Sequence, residues 1–183
     1  MRITGGERRG RTLAGPRGAG GVRPTGGYVR QAVFNLLAPR VPGARVLDLF
    51  AGTGAVGLEA LSRGAAAATF VDRHVAGVAA NVARLGCRDQ AEIIRGEVLR
   101  VVARLGAQAR SFEVIYADPP YAGGLAGATA HAVGAAGILA RGGLLLVEHH
   151  HKTPVPEAAG PLARRRDLRH GETMVTLYAE AGA

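Results

Sequence analysis

The chain has no tryptophan, one cysteine and two methionines, and aromatic side chains make up only 4% of its 183 residues. A lone Cys87 excludes an internal disulfide framework and makes a reducing compartment the default. No apolar run reaches the roughly 20 residues needed to span a bilayer, and no apolar core follows the basic start, so the expected location is the cytoplasm, with no membrane partner. Acidic residues are nearly missing from the amino end. Met1 to Arg45 carries nine arginines against the single acid Glu7, a net +8, whereas the remainder sets thirteen arginines and Lys152 against thirteen acids, a net +1. No apolar face accompanies those arginines. The asymmetry therefore points to a polyanion, nucleic acid before membrane, with a solvated basic leader as the alternative.

What is present fits one compact α/β domain: 48% apolar residues, 28 glycines and helices rich in alanine. The organising stretch is Val46 to Gly57, V-L-D-L-F-A-G-T-G-A-V-G. Its first residues read as a buried strand, its glycines end the strand, and a helix starts at Ala55. Backbone N–H groups at such a turn are available to a ligand, and glycine at 52 and 54 lets that ligand approach the backbone. The same residues satisfy the G-x-G-x-x-G dinucleotide fingerprint. No Lys-Ser or Lys-Thr follows, which disfavours a Walker phosphate loop. Asp48, at the carboxyl end of the strand, would repel a pyrophosphate but can hold an ammonium or hydroxyl group. On these residues S-adenosylmethionine stands beside a nicotinamide or flavin, and beside a purely structural glycine turn.

Along the chain, Arg2 to Leu13 reads as a small basic hairpin, Gly15 to Gly21 as a link, and Tyr28 to Ala38 as a helix with Thr25 as its cap. Strands then alternate with helices. Arg45–Leu49, Ala68–Asp72, Glu92–Arg95, Phe112–Asp118 and Gly143–Glu148 are strands; Ala55–Ser62, Val75–Leu85, Val98–Leu105 and a weak Ala126–Leu139 are helices. Repeated βα units imply a parallel sheet covered on both faces. Leu162–Leu168 and Thr173–Tyr178 read as an antiparallel hairpin at one edge. Open sheets of this kind bind ligands at the carboxyl ends of their strands. Those ends carry Asp48, Asp72, Glu97 and Asp118, although a strand-end acid also caps a following helix.

Asp118-Pro119-Pro120-Tyr121 suits methylation of an exocyclic base amine. Two prolines stiffen the backbone, so the Asp118 carboxylate and the Pro119 carbonyl form two acceptors aimed at one amino group, and Tyr121 stacks on the ring. Such acceptors draw the nitrogen lone pair out of conjugation and stabilise the charge that develops on transfer. Of the remaining motifs, His149, His150 and His151 alternate faces on an extended segment, so a solvated loop without a metal is expected. Cys87 reads as a small buried residue, Phe34 as core or a second stacking ring, and Arg164 to Arg166 as an edge strand or further RNA surface.

Taken together, Arg2-Ile3-Thr4-Gly5-Gly6, Arg9-Gly10-Arg11, Arg23-Pro24-Thr25, Val29-Arg30, Phe34-Asn35, the run from Leu47 to Ala65 and the D-P-P-Y at 118 resemble the RsmD family of 16S ribosomal RNA guanine 2-amino methyltransferases. The resemblance implies a class I S-adenosylmethionine-dependent methyltransferase fold: Rossmann-like α/β, a seven-stranded, mostly parallel sheet, a carboxyl-terminal antiparallel hairpin and a small basic amino-terminal hairpin. It implies one domain, with residues 1–22 a basic RNA-binding arm, 23–45 a helical lead-in and 45–183 the catalytic core. Catalysis would fall to Asp118, Pro119, Pro120 and Tyr121. S-adenosyl-L-methionine would be held by Thr25, Arg30, Asp48, Phe50, Ala51, Gly52, Thr53, Gly54, Asp72, Arg73, Glu97 and Val98. Glu97 replaces a more usual Asp, and Gln31 a more usual Glu. Arg2, Arg8, Arg9, Arg11 and Arg23 would hold phosphates of 16S rRNA or an assembling 30S subunit, with the protein a monomer. A DNA adenine methyltransferase and a non-catalytic RNA-binding assembly factor are the alternatives, and a nicotinamide oxidoreductase is a third.

Overall fold

A computed structural model describes residues 1–15, 25–121 and 123–182, and only the backbone at Thr25 and Gly26. The elements run α1 (Thr25–Leu37), β1 (Arg45–Leu49), α2 (Ala55–Ser62), β2 (Ala67–Asp72), α3 (Ala76–Leu85), β3 (Ala91–Arg95), α4 (Val98–Ala107), β4 (Phe112–Ala117), α5 (Leu125–Ala136), β5 (Leu139–His150), β6 (Ala158–Ala159), β7 (Leu162–His170) and β8 (Thr173–Glu180). One sheet takes the order β3-β2-β1-β4-β5-β8-β7-β6. The first five strands in that order are parallel, and β8, β7 and β6 join antiparallel. Strand order reverses between β1 and β4, and a ligand crevice belongs at the carboxyl ends of those two strands.

The sheet has eight strands among the described residues, not seven. The added β6 is two alanines pairing with β7 at the edge. Flanked by Pro154, Pro156 and Pro161, that pair is too short to carry an alternating pattern, and the sequence reads as loop. A second difference is β5, which continues through His150. The antiparallel partner β8 pairs with it up to His150↔Thr173, so two histidines expected in a loop sit in the sheet. His149 is buried, with its Nε2 2.9 Å from Thr176 Oγ1, and burial pushes its pKa down.

Two apolar layers sandwich the sheet. One joins α1, α2 and α3 to Phe70, Val114, Tyr116 and Leu146, and the other joins α4 and α5 to Leu47, Val71, Ile115 and Leu145. Phe34 and Cys87 are buried in the first layer. So are Ile3 and Leu13, because the amino-terminal hairpin, closed by an Arg2↔Thr12 bridge, is docked on α2. The docking is polar as well as apolar. Glu59, with 0% exposure, accepts from Thr4 N at 2.8 Å, Thr4 Oγ1 at 2.7 Å and Arg63 Nε at 2.8 Å. Ser62 Oγ donates to Gly5 O, and Glu7 N donates to Ser62 O.

Candidate active site

The turn from Phe50 to Gly54 leaves β1 at the point where strand order reverses. Phe50 holds a φ of 59°, Gly52 of 54° and Gly54 of 77°, a left-handed path that only glycine adopts without strain. The two glycines answer different demands. A Cβ at Gly52 would meet nothing within 4 Å, so that position faces open space. A Cβ at Gly54 would lie 2.6 Å from Val78 Cγ2, so its constraint is backbone conformation together with packing on α3. Gly57 is required by the sheet, because a Cβ there would come within 2.3 Å of the Phe70 ring.

Asp48, Asp72 and Asp118 stand around this turn and Glu97 lies past the edge strand β3, each with a distinct role. Asp48, with 3% exposure, accepts from Gly57 N at 2.9 Å. Its pKa is pushed up to about 8, by burial first, with the Gly57 hydrogen bond opposing and the charges of Asp118 and Asp72 adding to the rise. Asp72 accepts from Gly52 N at 2.9 Å and from His74 N at 2.8 Å, holding the turn against β2. Asp118 is exposed on the rim, and its N–H donates to Leu49 O, which ties the proline corner to the end of β1. Glu97 caps α4, accepting from Leu99 N and Arg100 N at 3.2 and 3.0 Å. That is the capping role sequence left open for it, and Val98 behind it is buried.

Tyr121, the last residue of the corner, shares a 3.2 Å hydrogen bond with Thr173 Oγ1, and its ring lies 6.1 Å from that of His150 at 63°. The aromatic end of the corner is thereby held over β5 and β8. Sequence reasoning missed two groups below it. Tyr116 is fully buried and donates its hydroxyl to the Glu148 carboxylate. Burial drives the Tyr116 pKa well up, and the charges of Glu148 and Asp118 add to that. Extending the survey of strand-end acids to β5 would have found Glu148. Asn81, with 0% exposure, was also missed: its Nδ2 donates to Thr53 O at 3.0 Å and Ala14 O at 3.1 Å, and its Oδ1 accepts from Ala14 N at 2.8 Å. One buried amide thus bridges the glycine turn and the segment that follows the hairpin.

Other expected site residues fall elsewhere. Arg30 is buried and turned to the hairpin, donating to Arg2 O at 2.7 Å and Met1 Sδ at 2.9 Å, with its Nε 3.6 Å from Glu59. Burial lowers its pKa although Glu59 opposes. Arg30 thus ties α1 to the hairpin, with its buried Nε near Glu59 but without a hydrogen-bond partner. Arg8 donates to Leu85 O and is paired with Glu7, and Arg11 donates to Arg84 O; Arg2, Arg9 and Arg73 are exposed. Arg23 and the side chain of Thr25 lie outside the described residues.

A class I methyltransferase sheet takes a cationic sulfonium nucleoside at this rim. The residues suit it: a buried carboxyl whose charged form is disfavoured until a cation arrives, two further carboxylates at the same rim, and an open backbone at Gly52.

Comparison with known proteins points the same way. The profile of the family described as "Conserved hypothetical protein 95" matches residues 1–179. The chain is 36% identical over 181 residues to the ribosomal RNA small subunit methyltransferase D of Escherichia coli K12, covering 97% of this chain and 89% of that one. The solved structure of the Escherichia coli protein yhhF superposes with a TM-score of 0.84 at 34% identity, covering 100% of this chain and 99% of the other. The Thermus thermophilus 16S rRNA N2 G1207 methyltransferase, in complex with AdoMet and guanosine, superposes with a TM-score of 0.70 at 25% identity, covering 90% of this chain and 44% of that one. A class I methyltransferase sheet, a site at its switch point and near-complete overlap with methyltransferase D lead to one conclusion: the chain belongs to the RsmD family.

Proposed function

We propose that this chain transfers a methyl group from S-adenosylmethionine to the exocyclic 2-amino group of a guanine in small-subunit ribosomal RNA. The observation that carries the reading is the crowding of Asp48, Asp72 and Asp118 at one rim, which favours a cationic donor over a pyrophosphate-bearing one. The cofactor supplies an electrophilic methyl group on sulfur when bound. Asp48 and the turn at Gly52 to Gly54 are the residues that would hold its methionine end, and Asp72 its ribose hydroxyls. The Asp118 carboxylate and the Pro119 carbonyl receive the amine hydrogens, orient the nitrogen lone pair and offset the positive charge that develops there. Tyr121 receives the face of the base. A stacked guanine cannot reach this rim, so the base swings out, at a cost of about a few kcal/mol. Stacking on Tyr121 offsets part of it, at roughly 1 to 3 kcal/mol. The docked hairpin, with Arg2 and Arg9 exposed, supplies phosphate contacts.

The test compares methyl incorporation from labelled S-adenosylmethionine into 30S subunits, naked 16S rRNA and duplex DNA. The reading expects transfer to a ribosomal substrate; incorporation confined to DNA adenine overturns it.

A further inference from the structure

Glu148 has no part in the chemistry described so far, yet its position gives it one. The pairing of β4 with β5 runs Tyr116↔Leu146 and Ala117↔Val147. Asp118 and Glu148 are the next residue on each strand and leave the pairing side by side, on strands about 4.8 Å apart. On β5, Leu146, Glu148 and His150 share one face. Leu146 packs in the same layer as Tyr116, and His150 stands against Tyr121. Glu148 therefore lies between the phenol of Tyr116, which binds its carboxylate from inside the sheet, and the aromatic end of the proline corner. It is half-buried, so it is reachable from the rim. A carboxylate offers about four acceptor positions, so the phenol hydrogen bond does not by itself exhaust it.

We infer that Glu148 selects guanine by accepting the N1–H of the flipped base while Asp118 and Pro119 take its 2-amino group. This rests on the proposed function and names the specificity of the same site. The Watson–Crick edge of guanine presents N1–H and the 2-amino group as adjacent donors, which match two neighbouring acceptors. Adenine presents its 6-amino group beside an N1 lone pair, and that lone pair would face the Glu148 carboxylate. A buried acceptor left facing a lone pair is penalised more heavily than a missing contact, which is how hydrogen-bonding sites reject close analogues. Tyr116 acts through Glu148, as a positioning residue that fixes the carboxylate.

The test uses the full chain with RNA substrates carrying either guanine or 2-aminopurine at the methylated position. 2-Aminopurine keeps the 2-amino group but has an N1 lone pair instead of N1–H. The wild type should prefer guanine in kcat/KM by ~100-fold or more. Glu148→Gln can donate its amide to an N1 lone pair, so the preference should narrow to within ~10-fold, mainly through loss on guanine and gain on 2-aminopurine. Calorimetric binding of S-adenosylmethionine should match the wild type. Tyr116→Phe should narrow the preference less, and by loss on guanine only. A lower rate with an unchanged guanine to 2-aminopurine ratio in Glu148→Gln makes Glu148 a structural partner of Tyr116 and overturns the inference alone. A wild type that places no methyl on the guanine 2-amino group overturns the underlying reading, and the inference falls with it.

Discussion

Asp48 and Asp118 lie at the same strand ends but are built for different work. Asp118 is exposed and carried by a stiffened corner; in the proposed transfer, removing it would delete an acceptor needed as charge develops on the amine. Asp118→Ala should lower methyl transfer by ~10²-fold or more while S-adenosylmethionine binding, read by calorimetry, stays near the wild-type value. Equal loss of both would remove Asp118 from catalysis. Asp48 is buried with its pKa pushed up to about 8, far above an ordinary carboxylate. A carboxyl that binds its proton more tightly when folded contributes stability that is fully present below the unfolded pKa. That stability is lost as pH rises through about 8. The ligand-free protein should therefore lose thermal stability between mildly acidic pH and pH 8 to 9. Asp48→Asn, which keeps an acceptor for Gly57 N, should flatten that slope and weaken cofactor binding by ~10- to 100-fold. Melting curves across pH, with and without cofactor, check both. A mutant slope equal to the wild type's contradicts the assignment.

At the level of elements, the amino-terminal hairpin is the least expected part. Sequence reading found its strands and its charge, because glycines and β-prone residues alternate there. Its docking was not legible. Glu59 and Asn81 sit inside helical patterns where a polar residue reads as solvent-facing, and only the hairpin, α1 and α2 together make Glu59 a buried acceptor. The parallel strands were legible because each is a short apolar run ended by an acid or a glycine, whereas β6 is only two alanines long and shows no run at all. Glu148 ends the expected strand Gly143–Glu148 and escaped because the survey of strand-end acids stopped at Asp118; nothing in the sequence shows that Tyr116 bonds to it from inside the sheet. Glu59→Ala should destabilise the protein by about 3 to 5 kcal/mol in urea denaturation, since it strands the buried Arg30 and leaves Thr4 N–H unsatisfied. A loss below about 1 kcal/mol would mean that solvent satisfies those groups and the hairpin is held without Glu59, by Ile3, Leu13 and the Ser62 contacts. Asn81 gives the hairpin a line to Thr53, so deleting the hairpin would disturb the cofactor turn as well as RNA binding.

For the whole molecule, charge is unevenly divided: excess arginine on the amino-terminal segment, acids at the carboxyl ends of the strands. Among the described residues no helix is long and apolar enough to cross a membrane. RNA affinity should fall steeply with salt, and replacing the exposed Arg2 and Arg9 by glutamine should reduce the slope of log affinity against log salt by about 1 to 2. Cofactor binding should not change, because neither side chain reaches the glycine turn. A slope equal to the wild type's would move the RNA surface elsewhere. The most direct measurement is nucleoside mass spectrometry of 16S rRNA after incubation with S-adenosylmethionine and either the wild type or Asp118→Ala. The account predicts 2-amino-methylated guanine at one position with the wild type and none with the variant. Methylation on another base or another guanine atom, or equal product from both proteins, would contradict it.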